Sequence, residues 1–213
     1  MAPACHLTTS HLHTQAVIDW GVAGRTLAGE AESGDLHLVK PVPSGVLVAV
    51  VDGLGHGADA ATAARTAVAT LDRHAHEPVL ALVERCHHAL GGMRGVVMSL
   101  AHIDSRATTM TWLGVGNVEG VLLSGAPERR ARTTLVVRGG IVGRELPPLR
   151  PVAVPISRGD TLVLASDGIK IGFADAVSVD APPQQVADKI LLSHAKGTDD
   201  ALVLVARFMG VGA

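Results

Sequence analysis

An apolar run from Val46 to Val51 ends abruptly on Asp52, and Gly53-Leu54-Gly55-His56-Gly57 follows at once. Short valine-rich runs without polar interruption are strands covered on both faces. The stretch therefore predicts a central strand that delivers a carboxylate to a glycine loop. Ala58 to Arg73 then continues with many alanines and no Gly or Pro, which predicts a helix whose N-terminus opens onto that loop. Strand, Asp-Gly loop and helix start together suit a site for a metal or a phosphate.

Upstream, Ala16–Thr26 and Gly34–Lys40 carry broken apolar stretches, and in the second Leu36 and Leu38 alternate with Asp35 and His37. Both read as strands of an antiparallel sheet, and three strands ahead of the first helix favour a meander over a parallel crossover. A second helix is expected over Pro78–Leu90, with proline in its first turn and Gly91-Gly92 beyond its end. The pattern then returns to strands at Gly95–Ile103, Thr108–Leu113, Val118–Leu123, Thr133–Val137, Val152–Ile156 and Thr161–Ala165. The turn at Gly116-Asn117 reads as a hairpin. A last helix over Pro182–His194 precedes a final strand, Ala201–Phe208. Helices covering long sheet runs predict an α+β fold, two antiparallel sheets with helices packed outside, in a single domain spanning 1–213.

Composition narrows the partners. Net charge is -2 from 18 basic and 20 acidic residues, and aromatic residues are 2% with no tyrosine. Neither a general attraction to polyanions nor a set of base-stacking platforms is available, so no nucleic-acid partner is expected. No apolar run approaches the about 20 residues of a membrane span. The first twenty residues hold histidines and an acid instead of a basic start and an apolar stretch. A cytoplasmic protein without a membrane partner is expected. Cys5 and Cys86 lack zinc or disulfide spacing and read as plain thiols. His74, His76, His87 and His88 lack the i, i+4 spacing of a helical zinc site and read as solvated.

Candidate chemistry lies in the acids. Asp35 follows Gly34, Asp52 and Asp167 each close an apolar strand before a glycine (VAVVDG and LVLASDG), and Asp199-Asp200 opens the last strand. Asp-Gly is also a common turn, and for Asp35 alone that reading stands beside the functional one. Strands of a sandwich could bring all of them to one edge, where unpaired carboxylates repel unless cations neutralise them. Oxygen-only donors suit hard cations such as Mg²⁺ or Mn²⁺.

VVDGLGHG with GD upstream, SDGI downstream and DDALVLV at the end resembles the metal-dependent PPM/PP2C protein serine/threonine phosphatases, in their SpoIIE-like branch. WGVAGRTLAGEAESGDLHLV, Trp20 to Val39, is similar to the RsbX-type stressosome feedback phosphatases within it. The resemblance implies a PP2C-like sandwich with a site for two Mn²⁺ or Mg²⁺ ions. By the same resemblance Asp52 bridges the ions, the Gly53 carbonyl ligates one, Asp167 and Asp199 hold the second, and Asp35 binds directly or through water. Asp52, Asp167 and Asp199 are then the catalytic acids, and Asp200 a supporting or turn residue. The implied reaction is hydrolysis of a phosphomonoester by a metal-activated water. The implied substrates are phosphorylated STAS-domain stressosome proteins, acted on by a monomer.

Two features depart from the wider family. The histidine expected two residues after the bridging acid is Leu54, and the loop histidine is His56, so a proton-donor role is not carried over. Arg25 has only its location to recommend it as a phosphate ligand. Two other functions compete. A GHKL-type ATP-binding kinase would need glycine where Leu54 stands. A phosphoprotein-binding pseudophosphatase without turnover would have no need of Asp52, Asp167 and Asp199.

Overall fold

The computed structural model describes residues 17–126 and 131–210; Cys5 and Ala16 lie outside them. Ten strands form two five-stranded sheets. They are β1 (Ile18–Arg25), β2 (Asp35–Val42), β3 (Gly45–Gly53), β4 (Val96–Asp104), β5 (Thr109–Val115), β6 (Glu119–Leu123), β7 (Arg132–Leu135), β8 (Val152–Pro155), β9 (Thr161–Ala165) and β10 (Ala201–Phe208). One sheet runs β1-β10-β9-β6-β7 and the other β2-β3-β4-β5-β8, with every neighbouring pair antiparallel. Helices α1 (Gly57–His74) and α2 (Val79–Ala89) cover the β3 sheet, and α3 (Pro183–His194) covers the β10 sheet. This is the expected α+β sandwich.

The strand sequences account for the layering. In β3, Val46, Val48 and Val50 point between the sheets, whereas Leu47, Ala49 and Val51 lie under α1 and α2. Both faces are dry, so the run needs no polar alternation. Each Val or Leu side chain so buried contributes about 1.5–3 kcal/mol by leaving water. In β10, Leu202, Leu204, Ala206 and Phe208 face inward, and Ala201, Val203 and Val205 face α3. Helix α1 meets the sheet through Ala60, Ala63, Ala64 and Ala67, all buried, and their small size lets the helix backbone come close.

Two expectations about connectivity are corrected. β1 does not pair with β2 but with β10, Ile18 opposite Phe208 and Arg25 opposite Ala201, so the first three strands are not a meander. The turn at Gly116-Asn117 is not a hairpin, because β5 and β6 belong to different sheets. Alternation specifies which face of a strand is dry and leaves its partner open.

The sandwich is closed at its sides by specific contacts. Trp20 of β1 and His37 of β2, on edge strands of opposite sheets, have ring centroids 5.9 Å apart. On the outer edge of β1, the Gln184 side chain at the start of α3 accepts from Val22 N–H at 3.1 Å and donates to the Val22 carbonyl at 2.8 Å. His87, expected in solvent, is half-buried, and its Nδ1 accepts from Gly143 N–H at 3.1 Å.

Candidate active site

Strand register brings the acids to one end of the sandwich. Asp35 stands directly opposite Asp52 in the β2–β3 ladder. Asp52 keeps the parity of Val46, Val48 and Val50, so both carboxylates lie on the face between the sheets. From the other sheet, the inward parity of Leu162 and Leu164 continues to Ser166, and that of Leu202 runs back to Asp200. Ser166 joins the two sheets: its Oγ donates to Asp35 Oδ2 at 2.6 Å and accepts from Leu202 N–H at 2.9 Å.

The glycines beside the acids are explained by close backbone approach. A Cβ on Gly53 would be driven into the Ala60 carbonyl of α1, one on Gly168 into the Asp200 carbonyl, and one on Gly34 to 2.9 Å from the Ala60 Cβ. At the two Asp-Gly steps, Gly53 and Gly168, the obstacle is backbone, so two elements meet there without side chains between them.

Asp200 is buried, and both its oxygens are used. Oδ1 accepts from Leu27 N–H and Oδ2 from Gly34 N–H, each at 2.7 Å, which ties down both ends of the loop between β1 and β2. Asp199, half-buried, is the more available acid of the pair. Asp199 Oδ1 accepts from Asp200 N–H at 2.9 Å. Asp167 Oδ2 accepts from Asn117 Nδ2 at 2.8 Å.

Burial and mutual repulsion govern the electrostatics of these acids. Burial pushes Asp52 up to about 9, and repulsion from Asp35, Asp167, Asp199 and Asp200 adds to it. Asp35 is pushed up to about 7, chiefly by burial and against the Ser166 hydrogen bond. Among the described residues no ion pair includes any of these acids. Nor do three His, Cys, Asp or Glu side chains there converge into a ready-made ion cage.

A pH dependence follows. A carboxyl whose pKa is raised by folding makes the native state bind more protons than the unfolded chain, so stability falls as pH rises from about 4 towards about 9. Thermal melts in EDTA should move down by several degrees between pH 5 and pH 9. A midpoint that rises over this interval would contradict the raised values.

The remaining loop residues take other parts. His56 precedes α1 without capping it; its Nδ1 lies 2.5 Å from Glu30 Oε1. Glu30 also reaches Gly57, where a Cβ would stand 2.6 Å from Oε2. The carboxylate of Glu30 thus lies beside the helix start, whose own first turn carries Asp59. Arg25 is exposed, with a guanidinium nitrogen 3.7 Å from where a Gly197 Cβ would be. Ser166, Asn117 and Glu30 are the polar partners that sequence reasoning missed. Ser166 was legible in principle, since it continues the inward parity of Leu164 one step before Asp167.

The sequence profile of the family described as Stage II sporulation protein E (SpoIIE) matches residues 43–209. The phosphoserine phosphatase RsbX of Bacillus subtilis is 26% identical over 143 residues, 67% of this chain and 70% of that protein. A chain from a structure of the bacterial stressosome, described as a modular system adapted to control secondary messenger signaling, superposes with a TM-score of 0.82. It is 30% identical, over 89% of this chain and 99% of that one. The crystal structure of RsbX in complex with magnesium superposes with a TM-score of 0.80 at 20% identity, over 90% of this chain and 95% of that one.

Proposed function

Because the chain belongs to the SpoIIE family and is a protein serine/threonine phosphatase of the PP2C type, we propose that it resets a stressosome by dephosphorylating its STAS-domain scaffold proteins. The partner is supported by the phosphoserine phosphatase and the stressosome chain to which this one is similar. It acts as one catalytic domain, as a monomer and in the cytoplasm. The ATP-binding alternative has no place for the acids, and a binder without turnover has no use for their repulsion.

The ligands of our reading are Asp35, Asp52, the Gly53 carbonyl, Asp167 and Asp199, holding two Mn²⁺ or Mg²⁺ ions. The observation that carries it is the half-buried carboxyl of Asp52, facing Asp35 across one ladder step with Asp167, Asp199 and Asp200 near enough to repel it. An oxygen-only, strongly anionic donor set fits hard divalent cations. Such ions supply neutralisation of phosphoryl charge and acidify water near neutral pH. The chain's own residues do the rest. Ser166 fixes the plane of Asp35 through Oδ2. Asp200 holds the loop ahead of Asp35 and so the approach to Asp52.

A phosphatase assay on phosphorylated STAS-domain proteins, with Mn²⁺ and with EDTA, tests substrate and cofactor together. Release of phosphate should require the cation and fall to background on chelation. Turnover that survives EDTA would refute the metal reading. Cation-dependent hydrolysis of p-nitrophenyl phosphate without action on the STAS-domain proteins would refute the partner.

A further inference from the structure

Asn117 is the one side chain from the β5–β6 crossing that bonds to the acid cluster among the described residues, and it is 50 positions from the acid it touches. Its Nδ2 donates to Asp167 Oδ2 at 2.8 Å. The backbone on either side is fixed. Gly116 N–H donates to the Arg138 carbonyl at 2.8 Å, and Arg138 N–H to the Gly114 carbonyl at 3.1 Å. The hydroxyl of Ser99, fully buried, donates to the Val118 carbonyl at 2.6 Å. Gly116 has φ +95°, and a Cβ there would run into the Val97 side chain. The turn can therefore neither shift nor take another conformation cheaply, and an exposed asparagine is held where a surface residue would normally sweep many rotamers.

An amide is a particular choice for this position. A carboxylate has two oxygens and about four lone-pair directions. One neutral N–H on Oδ2 sets the plane of the group and leaves Oδ1 free. A lysine or arginine would fix the plane as well, but its charge would compete with a cation for the same carboxylate.

We propose that Asn117 is a positioning residue, orienting Asp167 so that its free oxygen is presented to a divalent cation. The inference rests on Asp167 being a cation ligand. It assigns the corner between the two sheets, reached from β5, a part in cation affinity.

Isothermal titration of the full chain with MnCl₂ tests it, on wild type, Asn117→Leu, Asn117→Gln and Asp167→Asn. Asn117→Leu keeps the size and removes the donor, and Mn²⁺ affinity should fall by about tenfold or more, the usual cost of losing a partner of a ligand. The melting midpoint in EDTA should stay within a degree or two of wild type, because the side chain is exposed. Asn117→Gln, which restores an amide donor, should recover most of the affinity. If Asp167→Asn loses Mn²⁺ binding while Asn117→Leu binds like wild type, the positioning role is overturned and the ligand reading stands. If Asp167→Asn itself binds like wild type, the ligand reading fails first. Should Asn117→Leu lose its cooperative melt, Asn117→Ala carries the same comparison.

Discussion

Asp52→Asn should cost at least about 10²- to 10³-fold in kcat/KM, the scale set by removing one preorganised electrostatic group from a reaction centre, while the metal-free protein becomes harder to melt. The two halves of this result have one cause. Asp52 is the acid pushed furthest, to about 9, by burial and by four neighbouring carboxylates. At neutral pH the fold has to keep this acid protonated and at alkaline pH it has to bear its charge, and an amide of the same shape removes both costs. In EDTA at pH 9 the midpoint should rise by several degrees, since about 1 kcal/mol moves a chain of this size by roughly 2–4 °C. With Mn²⁺ present the order should reverse, because wild type alone gains the full stabilisation of a bound cation. Near-normal rates for Asp52→Asn would remove the basis for a metal centre at this edge. An unchanged EDTA midpoint would mean that the carboxylate is not under strain.

Gly168→Ala should lower stability by about 3 kcal/mol or more, beyond the usual range for an added methyl, because the obstacle is backbone. The new Cβ would be driven into the Asp200 carbonyl, with Ala201 Cα 2.9 Å away. No flexible side chain is there to turn aside. The midpoint should fall by roughly 6–12 °C at 2–4 °C per kcal/mol. Gly139→Ala is the matched control: nothing lies within 4 Å of its Cβ position, and its melt should coincide with wild type. If Gly168→Ala melted within two degrees of wild type, the loops carrying Asp167 and Asp199 would not be in the close contact described. That contact sets the spacing between the two acids, so activity should fall with stability.

The parts of the molecule legible in the sequence were those fixed by local pattern. The unbroken run into Asp52, the repeated strand-Asp-Gly grammar and the alanine-rich helix each specify a local conformation, and the structure has them where the pattern puts them. Pairing was hidden wherever it depended on distant chain. Nothing near Trp20 states that Ala206 lies opposite it, and nothing near Asn117 states that its amide reaches Asp167 across a change of sheet. Asp-Gly steps look alike whether they serve turns or close contacts. Only the packing of Gly53 on Ala60 and of Gly168 on Asp200 distinguishes them.

Gln184 bears on how this molecule can meet others. An outermost strand offers unpaired amide and carbonyl groups along its length and so invites a further strand from another chain. At Val22, midway along β1, both groups are occupied by one side-chain amide whose position is held by α3. A phosphorylated segment arriving in extended form cannot lengthen the sheet at that point, and two copies cannot zip together there. Any strand laid along β1 would thus be interrupted at its middle, where a side chain already holds the place of a neighbouring strand.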